Sequence, residues 1–364
     1  MKIVIVGAGV AGLSIGWRLA QAGAEVTVFE RAQPGRGATW ASAGMISTTP
    51  EIGEVESPEG RFSRRSAALW PRFAREIEEA SGMDVDFRAD GTLIVARNTE
   101  EAAEVAARAK GSPALEFLIR EEARALEPLL STSIEGALFD PSEAQVDNRA
   151  LGPALALAFQ RTGGVLLTNE SVVRVEIESG RVAAARTPFS LHRADSFIIA
   201  AGAWSGFLEG LPPEALPPVI PVKGEMIALE PSGAELPRHM IWGNEVYLVP
   251  RHNRLLVGAT VSREGFDRRT TQAAATWLHE RALGLIPALE SWPLVEHWAG
   301  LRPGSPDDLP LIGATALDGL FVASGQYRNG ILLAPAIADA MQALVLAQRS
   351  FDEMQAFDPR RFSG

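Results

Sequence analysis

The chain of 364 residues contains no cysteine. That absence excludes disulfides, thiolate zinc sites, a cysteine nucleophile and a flavin attached through a cysteine sulfur. It fits a reducing, cytoplasmic setting, which is the expected localisation. Tyrosine is scarce, two in all, and there are five histidines. His192, His239, His252, His279 and His297 show no spacing of the H-E-x-x-H kind, so no metal centre is expected. Cations are outnumbered: 34 Lys and Arg against 45 Asp and Glu give a net charge of −11. A nucleic-acid partner is therefore disfavoured, since phosphate neutralisation needs a basic surface. One bound dinucleotide is not, because its phosphates can rest on backbone N–H groups. Long apolar runs are missing as well. Residues 331–347 come nearest, but Pro335, Asp339 and Gln342 interrupt them, so no transmembrane segment is expected. The opening Met1–Gly12 carries glycines that do not suit a signal peptide.

What is present suits a large core. Hydrophobic residues make up 46% of the chain, and the length suggests about two domains. Residues 2–6 read as a buried parallel strand, 13–22 as a helix stopped by Gly23, and 25–29 as the next strand, a βαβ unit. Pro34 to Pro50 reads as a functional loop. Helices are expected over 61–80, 99–110, 149–161 and 270–285, and from Ile331 onward. Hairpins are expected around Asp90-Gly91, within 85–95, and around Ser179-Gly180, within 172–187. Strands are expected at 165–167, 197–200, 219–229, 246–249, 255–259 and 320–323. Pro212, Pro213, Pro217 and Pro218 mark a change of texture. The fold class is α/β, α+β overall: a Rossmann-like dinucleotide domain (1–84, 141–217 and 299–364) interleaved with a strand-rich substrate domain (85–140 and 218–298), in the manner of glutathione-reductase-like flavoproteins.

Gly7-Ala8-Gly9-Val10-Ala11-Gly12 fits G-x-G-x-x-G between the first strand and helix. Gly7 permits the tight turn, Gly9 lets the backbone approach a pyrophosphate, and Gly12 lets the helix pack closely on the strand. The helix N-terminus adds N–H groups and a positive dipole end. Glu30, 18 residues beyond Gly12, ends the second strand. A carboxylate there can accept hydrogen bonds from the ribose hydroxyls and would repel a 2′-phosphate. No second such turn occurs, which leaves room for one dinucleotide, FAD or NAD; a βα turn without a ligand is the bland alternative. Ala200-Ala201-Gly202 and Ala323-Ser324-Gly325 end buried strands in small residues that permit close approach of a ring or phosphate.

These features, together with Trp298-Ala299-Gly300-Leu301-Arg302-Pro303-Gly304 and the run from Gly325 to Pro335, resemble the D-amino acid oxidase family, and within it the glycine oxidases of the thiamine-biosynthesis type. The resemblance spans essentially the whole chain and implies non-covalent FAD. By it, Gly7, Ala8, Gly9, Val10, Ala11 and Gly12 carry the pyrophosphate, and Glu30 with Arg31 flanks the adenosine ribose. Ala38, Thr39, Ser42, Ala43, Gly44 and Met45 pass the pyrophosphate and the isoalloxazine, and Val173 offers backbone to the adenine. Ala200, Ala201, Gly202, Trp204 and Gly300 lie along the cofactor, as do Gln326, Tyr327, Arg328, Asn329, Gly330 and Ile331. Pro335 is read as a first-turn residue of the last helix, whose positive end faces the flavin pyrimidine and favours electron acceptance there.

The resemblance also places a small amino-acid substrate. Arg302 grips its carboxylate, as a planar guanidinium does well, and Tyr247 donates to the same group. Arg328 lies near the amino group and Met45 lines the pocket. Glu245 stands where these enzymes carry histidine. It either shares a strand face with Tyr247 or lies at a strand end in solvent. Val261 replaces a methionine, which leaves pocket volume open. The implied reaction moves a hydride from the α-carbon to flavin N5, and hydrolysis gives a 2-oxo acid and ammonia. Electrons then pass to O2 or another acceptor, and self-association is implied. Rival readings are oxidation of sarcosine, D-proline or another D-amino acid, an NAD-dependent dehydrogenase, and a non-catalytic flavin scaffold.

Overall fold

The computed structural model describes residues 1–49, 56–233 and 235–362. It opens with β1 (Lys2–Val6), α1 (Val10–Gln21) and β2 (Glu25–Glu30), the expected βαβ unit. Then come α2 (Ala38–Ala41), β3 (Met45–Ile46) and the long α3 (Pro58–Ser81). β4 (Thr92–Ala96), α4 (Thr99–Lys110), β5 (Glu116–Ile119), α5 (Arg120–Leu126), β6 (Gly136–Asp140) and β7 (Ala144–Gln145) lead to α6 (Asn148–Arg161). β8 (Val165–Thr168), β9 (Arg174–Glu178), β10 (Arg181–Arg186), β11 (Leu191–Arg193) and β12 (Ser196–Ile199) follow. Past the prolines lie β13 (Ile220–Leu229), β14 (Met240–Gly243), β15 (Val246–Arg251), β16 (Arg254–Gly258), α7 (Gln272–Leu283) and β17 (Leu294–Gly304). β18 (Leu311–Ala314), β19 (Leu320–Ser324) and α8 (Gly330–Ala347) follow, with short 3-10 turns at 352–357 and 359–362.

Two large sheets result, in a mixed α/β architecture. One has six strands in the order β18-β19-β12-β1-β2-β8, parallel except for β18 against β19. The other has eight, ordered β17-β13-β16-β15-β14-β4-β6-β5, antiparallel except for β14 against β4. Each sheet draws on separated stretches of chain. In the six-stranded sheet Ile3, Ile5, Val28 and Ile198 pack against α1, α6 and α8, while Val4, Val6, Phe29 and Phe197 pack toward the β9–β11 layer. Both faces are covered, which is why these strands read as continuous apolar runs.

Several expectations are corrected. Asp90-Gly91 does not turn a hairpin. Arg88 bridges to Gln145 instead, and a Cβ at Gly91 would meet the Asp140 carbonyl at 2.8 Å. The glycine permits a close approach of β4 to its partner β6. Ser179 and Gly180 do form a two-residue hairpin, with φ of 52° and 79°. The loop from Pro34 holds the short α2 and β3; its last residue, Pro50, lies outside the described residues. β5, α5, β6, β7, β11, β14, β17 and β18 lie outside the expected elements. β17 is rich in Gly and Pro yet tolerates Pro303 because it is an edge strand.

Pro335 is also corrected. The helix begins at Gly330 with Asn329 as N-cap, so Pro335 lies inside it. It has no N–H for the Ile331 carbonyl, and α3 bridges the adjoining rung between Leu332 and Ala336. Ser66 Oγ and Trp70 Nε1 donate to the Leu332 carbonyl at 2.6 and 3.0 Å, and the Ala336 N–H donates to Ser66 Oγ at 3.3 Å. Among the described residues, α8 alone is long and apolar enough to cross a membrane, and 61% of it is buried inside the protein.

Buried Glu143 fastens the segment after β3. It accepts from Ser47 Oγ and from the N–H groups of Thr48 and Thr49, the latter two at 2.5 and 2.7 Å. Burial pushes its carboxyl up to about 7, against those donors, which favour the charged form. A raised folded-state pKa gives stability that is full below the unfolded pKa and lost as pH rises through about 7. Glu143→Gln should therefore gain Tm relative to the parent as pH goes from about 5 to 8. Calorimetry across that range checks this; a Tm difference independent of pH would refute it.

Candidate active site at the junction of the two sheets

A cavity of about 1190 Å³ is lined from both large sheets. That exceeds the roughly 300–1,000 Å³ of a drug-sized pocket and suits a dinucleotide with a small reactant beside it. The glycine turn forms one wall. Gly7 takes φ 106°, and a Cβ there would stand 2.4 Å from the Ala200 carbonyl. Gly9 differs: its Cβ position meets only Thr39 Oγ1, at 3.6 Å, and is otherwise open. Gly7, Ala8, Gly9, Val10 and Ala11 line the cavity. Gly12 does not. Its Cβ would fall 2.0 Å from the Gly7 carbonyl, so it serves helix packing and is corrected as a lining residue.

Glu30 accepts from the N–H of Ala8 and of Ala32, both at 3.0 Å, and so braces the turn that it flanks. Arg31 lies 3.5 Å over the Trp204 ring, on which Phe266 stacks at 5.2 Å. Val173 lines the cavity just ahead of β9, but its N–H already donates to Arg186 O at 2.9 Å and its carbonyl accepts from Glu209 N at 3.2 Å. The N–H of this backbone is therefore engaged, while its carbonyl keeps a second lone pair. Ala200, Ala201, Gly202 and Trp204 continue the wall from the end of β12.

Ala38, Thr39, Ser42, Ala43, Gly44 and Met45 all line the cavity. Thr39 Oγ1 accepts from the Val10 N–H at 2.9 Å, tying α2 to the start of α1. Asn148 Nδ2 donates to the carbonyls of Thr39 and Trp40, both at 2.9 Å, and Trp298 Nε1 to that of Ala41 at 3.0 Å. Gly300 allows this packing, since a Cβ there would lie 2.4 Å from Ala41 Cβ. Asn148 was not foreseen; an asparagine at a helix start looks like any cap.

From the segment ahead of the last helix and its first turn come Gln326, Tyr327, Arg328, Gly330 and Ile331. Gln326 is buried, with an amide nitrogen lacking a partner among the described residues. Asn329 turns away and donates to Glu59 at 3.3 Å, a correction to its expected place along the cofactor. Asn329 makes no side-chain cap, and the first turn of α8 holds no acidic residue, so its positive end is open to an electron-rich group.

Met45, Arg302, Tyr247 and Arg328 lie on the same cavity, with Val261. Arg302 Nη1 donates to the carbonyls of Thr260 at 3.1 Å and Lys223 at 3.3 Å. Tyr247 OH contacts Met226 Sδ at 3.8 Å, and its ring lies 5.1 Å from Trp242. Trp242 and Trp277 add an apolar wall that was not foreseen. Arg328 lies 5.3 Å over the Tyr327 ring. Of the two readings of Glu245, the structure puts it on the cavity lining, at the rim and partly in solvent. It precedes β15, has φ 69°, is exposed at the rim and pairs with Arg281 at 3.0 Å. With a left-handed backbone the i, i+2 alternation does not carry it onto the face of Tyr247.

A family profile described as FAD dependent oxidoreductase (DAO) matches residues 2–344. The chain belongs to this family. It is 36% identical over 349 residues to a glycine oxidase of Pseudomonas aeruginosa, covering 93% of this chain and 94% of that one. It is 35% identical over 370 residues to the glycine oxidase of Geobacillus kaustophilus, covering 99% and 96%. The crystal structure of a glycine oxidase from the latter organism superposes with a TM-score of 0.91 at 33% identity over all of both chains. This DAO-family protein is thus an FAD-dependent oxidoreductase of CH–NH or CH–NH2 groups. Its residues fit FAD: the open cradle at Gly9, the N-termini of α1 and α8, and the length of the cavity agree.

Two valine substitutions separate cradle from scaffold. Gly9→Val should fold, since Gly9 has φ −78° and open space, yet purify without flavin. Gly12→Val should fail to fold, because its side chain meets backbone. Absorbance at flavin wavelengths and circular dichroism read both outcomes, and a yellow Gly9→Val protein contradicts the cradle.

Proposed function

We propose that this DAO-family enzyme oxidises a small α-amino acid, glycine or a close analogue, to a 2-oxo acid and ammonia. The observation that carries this is Arg302. Its described hydrogen bonds go to two backbone carbonyls, both from Nη1, and no carboxylate among the described residues pairs with it. A guanidinium so held on a cavity wall matches a carboxylate with two parallel hydrogen bonds. Tyr247 lines the same cavity and offers an OH to that group. Arg328 lies toward the amino side. Met45, Trp242 and Trp277 bound the reactant space with apolar surface, which favours a short side chain. The relatives called glycine oxidase support the same substrate class.

FAD, when bound, supplies the two-electron acceptor for the α-carbon. The protein supplies position: Arg302 and Tyr247 fix the carboxylate, and through it the direction of the α-hydrogen. The four glutamates on the described lining are Glu30, Glu170, Glu209 and Glu245. Three belong to the nucleotide half and Glu245 stands at the rim, so the amine sheds its proton to water rather than to a buried base. Released imino acid hydrolyses in solvent, and the electrons leave to O2 or another acceptor.

Arg302→Ala should keep FAD and raise KM for carboxylated amines on the order of 100-fold, the loss of a charge-assisted bidentate contact. Steady-state kinetics with anaerobic flavin bleaching across glycine, sarcosine, D-alanine and D-proline tests both grip and substrate; unchanged KM removes Arg302 from the site. Glu245→Gln, at the rim, should change kcat/KM for glycine by less than about threefold. A larger change would place Glu245 against the substrate.

A further inference from the structure

Arg302 reaches the cavity by lying across β13. In the β13–β17 ladder, Val222 pairs with Arg302 and Gly224 with Gly300. The guanidinium rests over Gly224: a Cβ built there would stand 2.4 Å from both terminal nitrogens and 2.5 Å from Cζ. Gly224 sits inside an extended strand and has no left-handed φ. The position therefore requires empty volume, not the conformational freedom of glycine.

The two carbonyls that hold the guanidinium are themselves fixed. Thr260 N donates to Glu225 O at 3.2 Å, and Glu225 N to Thr260 Oγ1 at 2.9 Å. Lys223 and Ser262 exchange N–H···O bonds of 2.9 and 3.0 Å. On the opposite face of β13 the buried Lys223 ammonium joins Glu264 at 2.9 Å and Glu225 at 3.3 Å. Anchors held this firmly set one position for the guanidinium, provided that nothing occupies the space above residue 224.

We propose that Gly224 is a positioning residue for the substrate carboxylate: its missing side chain is the volume in which Arg302 is held at its two carbonyl anchors. This rests on the assignment of Arg302 to the carboxylate. Gly224 differs from Gly7 and Gly12, whose absent Cβ faces rigid backbone. Here the obstacle is the far end of a flexible side chain, so a methyl group displaces the guanidinium and spares the fold.

The test uses the FAD-loaded enzyme and acetate, which has the carboxylate and no amine, as a competitive inhibitor. Gly224→Ala should keep its flavin and its Tm within about 3 °C, while the acetate inhibition constant and the KM for glycine rise roughly tenfold and kcat changes much less. Arg302→Ala should weaken acetate at least as much, and the double variant should match Arg302→Ala alone, because both act through one guanidinium. If Arg302→Ala leaves acetate unaffected, the underlying carboxylate assignment fails. If Arg302→Ala weakens acetate and Gly224→Ala does not, or the two losses add, the role of Gly224 fails alone. A Gly224→Ala chain that unfolds but is rescued by Arg302→Ala supports the proposal; one that unfolds with or without Arg302 overturns it.

Discussion

Backbone meeting backbone at the end of β1 is the constraint on which the rest of the molecule depends. A Cβ at Gly7 would lie 2.4 Å from the Ala200 carbonyl, and one at Gly12 would lie 2.0 Å from the Gly7 carbonyl. Side chains at either place would push α1 off the sheet. With them absent, the first turn of α1 is seated at the carboxyl ends of β1 and β12, where its N–H groups face a hollow. Thr39, Asn148 and Trp298 then pin α2 beside that turn. That end of the cavity, suited to an anion, is thus a product of close packing as much as of charge.

The end proposed for the reactant is built on other principles. It stands on the eight-stranded sheet, and its polar groups hang from carbonyls or lie on aromatic faces. Arg302 is suspended from Lys223 and Thr260, and Tyr247 lies beside Trp242. Side chains held by neighbours that are themselves hydrogen-bonded lose little freedom when a reactant arrives, which is the physical content of preorganisation. The two halves meet where α2 packs under β17, with Gly300 set closely against Ala41.

Much of this was legible in the sequence because the motifs are local. The glycine turn, Glu30 and the strand ends at Ala200 and Ala323 are runs of a few residues whose spacing carries the geometry. The Ser179-Gly180 hairpin was legible for the same reason, and Asp90-Gly91 misled because a glycine needed for close approach resembles one needed for a turn. What depends on distant pairing was not legible. β17 reads as a Gly/Pro loop until its ladder with β13 is known. Asn329 belongs to a motif run but faces Glu59, 270 residues away. The two readings of Glu245 could not be separated, because nothing local announces the left-handed turn that sets it at the rim.

The interleaving of the sheets has a consequence for how the protein comes into being on the ribosome. β1 needs β12 on one side, and β12 needs β19, which lies more than 120 residues further along. The eight-stranded sheet likewise waits for β17 to cover β13. Neither layer is complete until nearly the whole polypeptide has been made, and contacts so distant in sequence form slowly. The nascent chain must therefore carry half-built apolar faces for most of its synthesis. FAD can be enclosed only by a chain that is almost finished, which makes capture of the cofactor one of the last events in maturation.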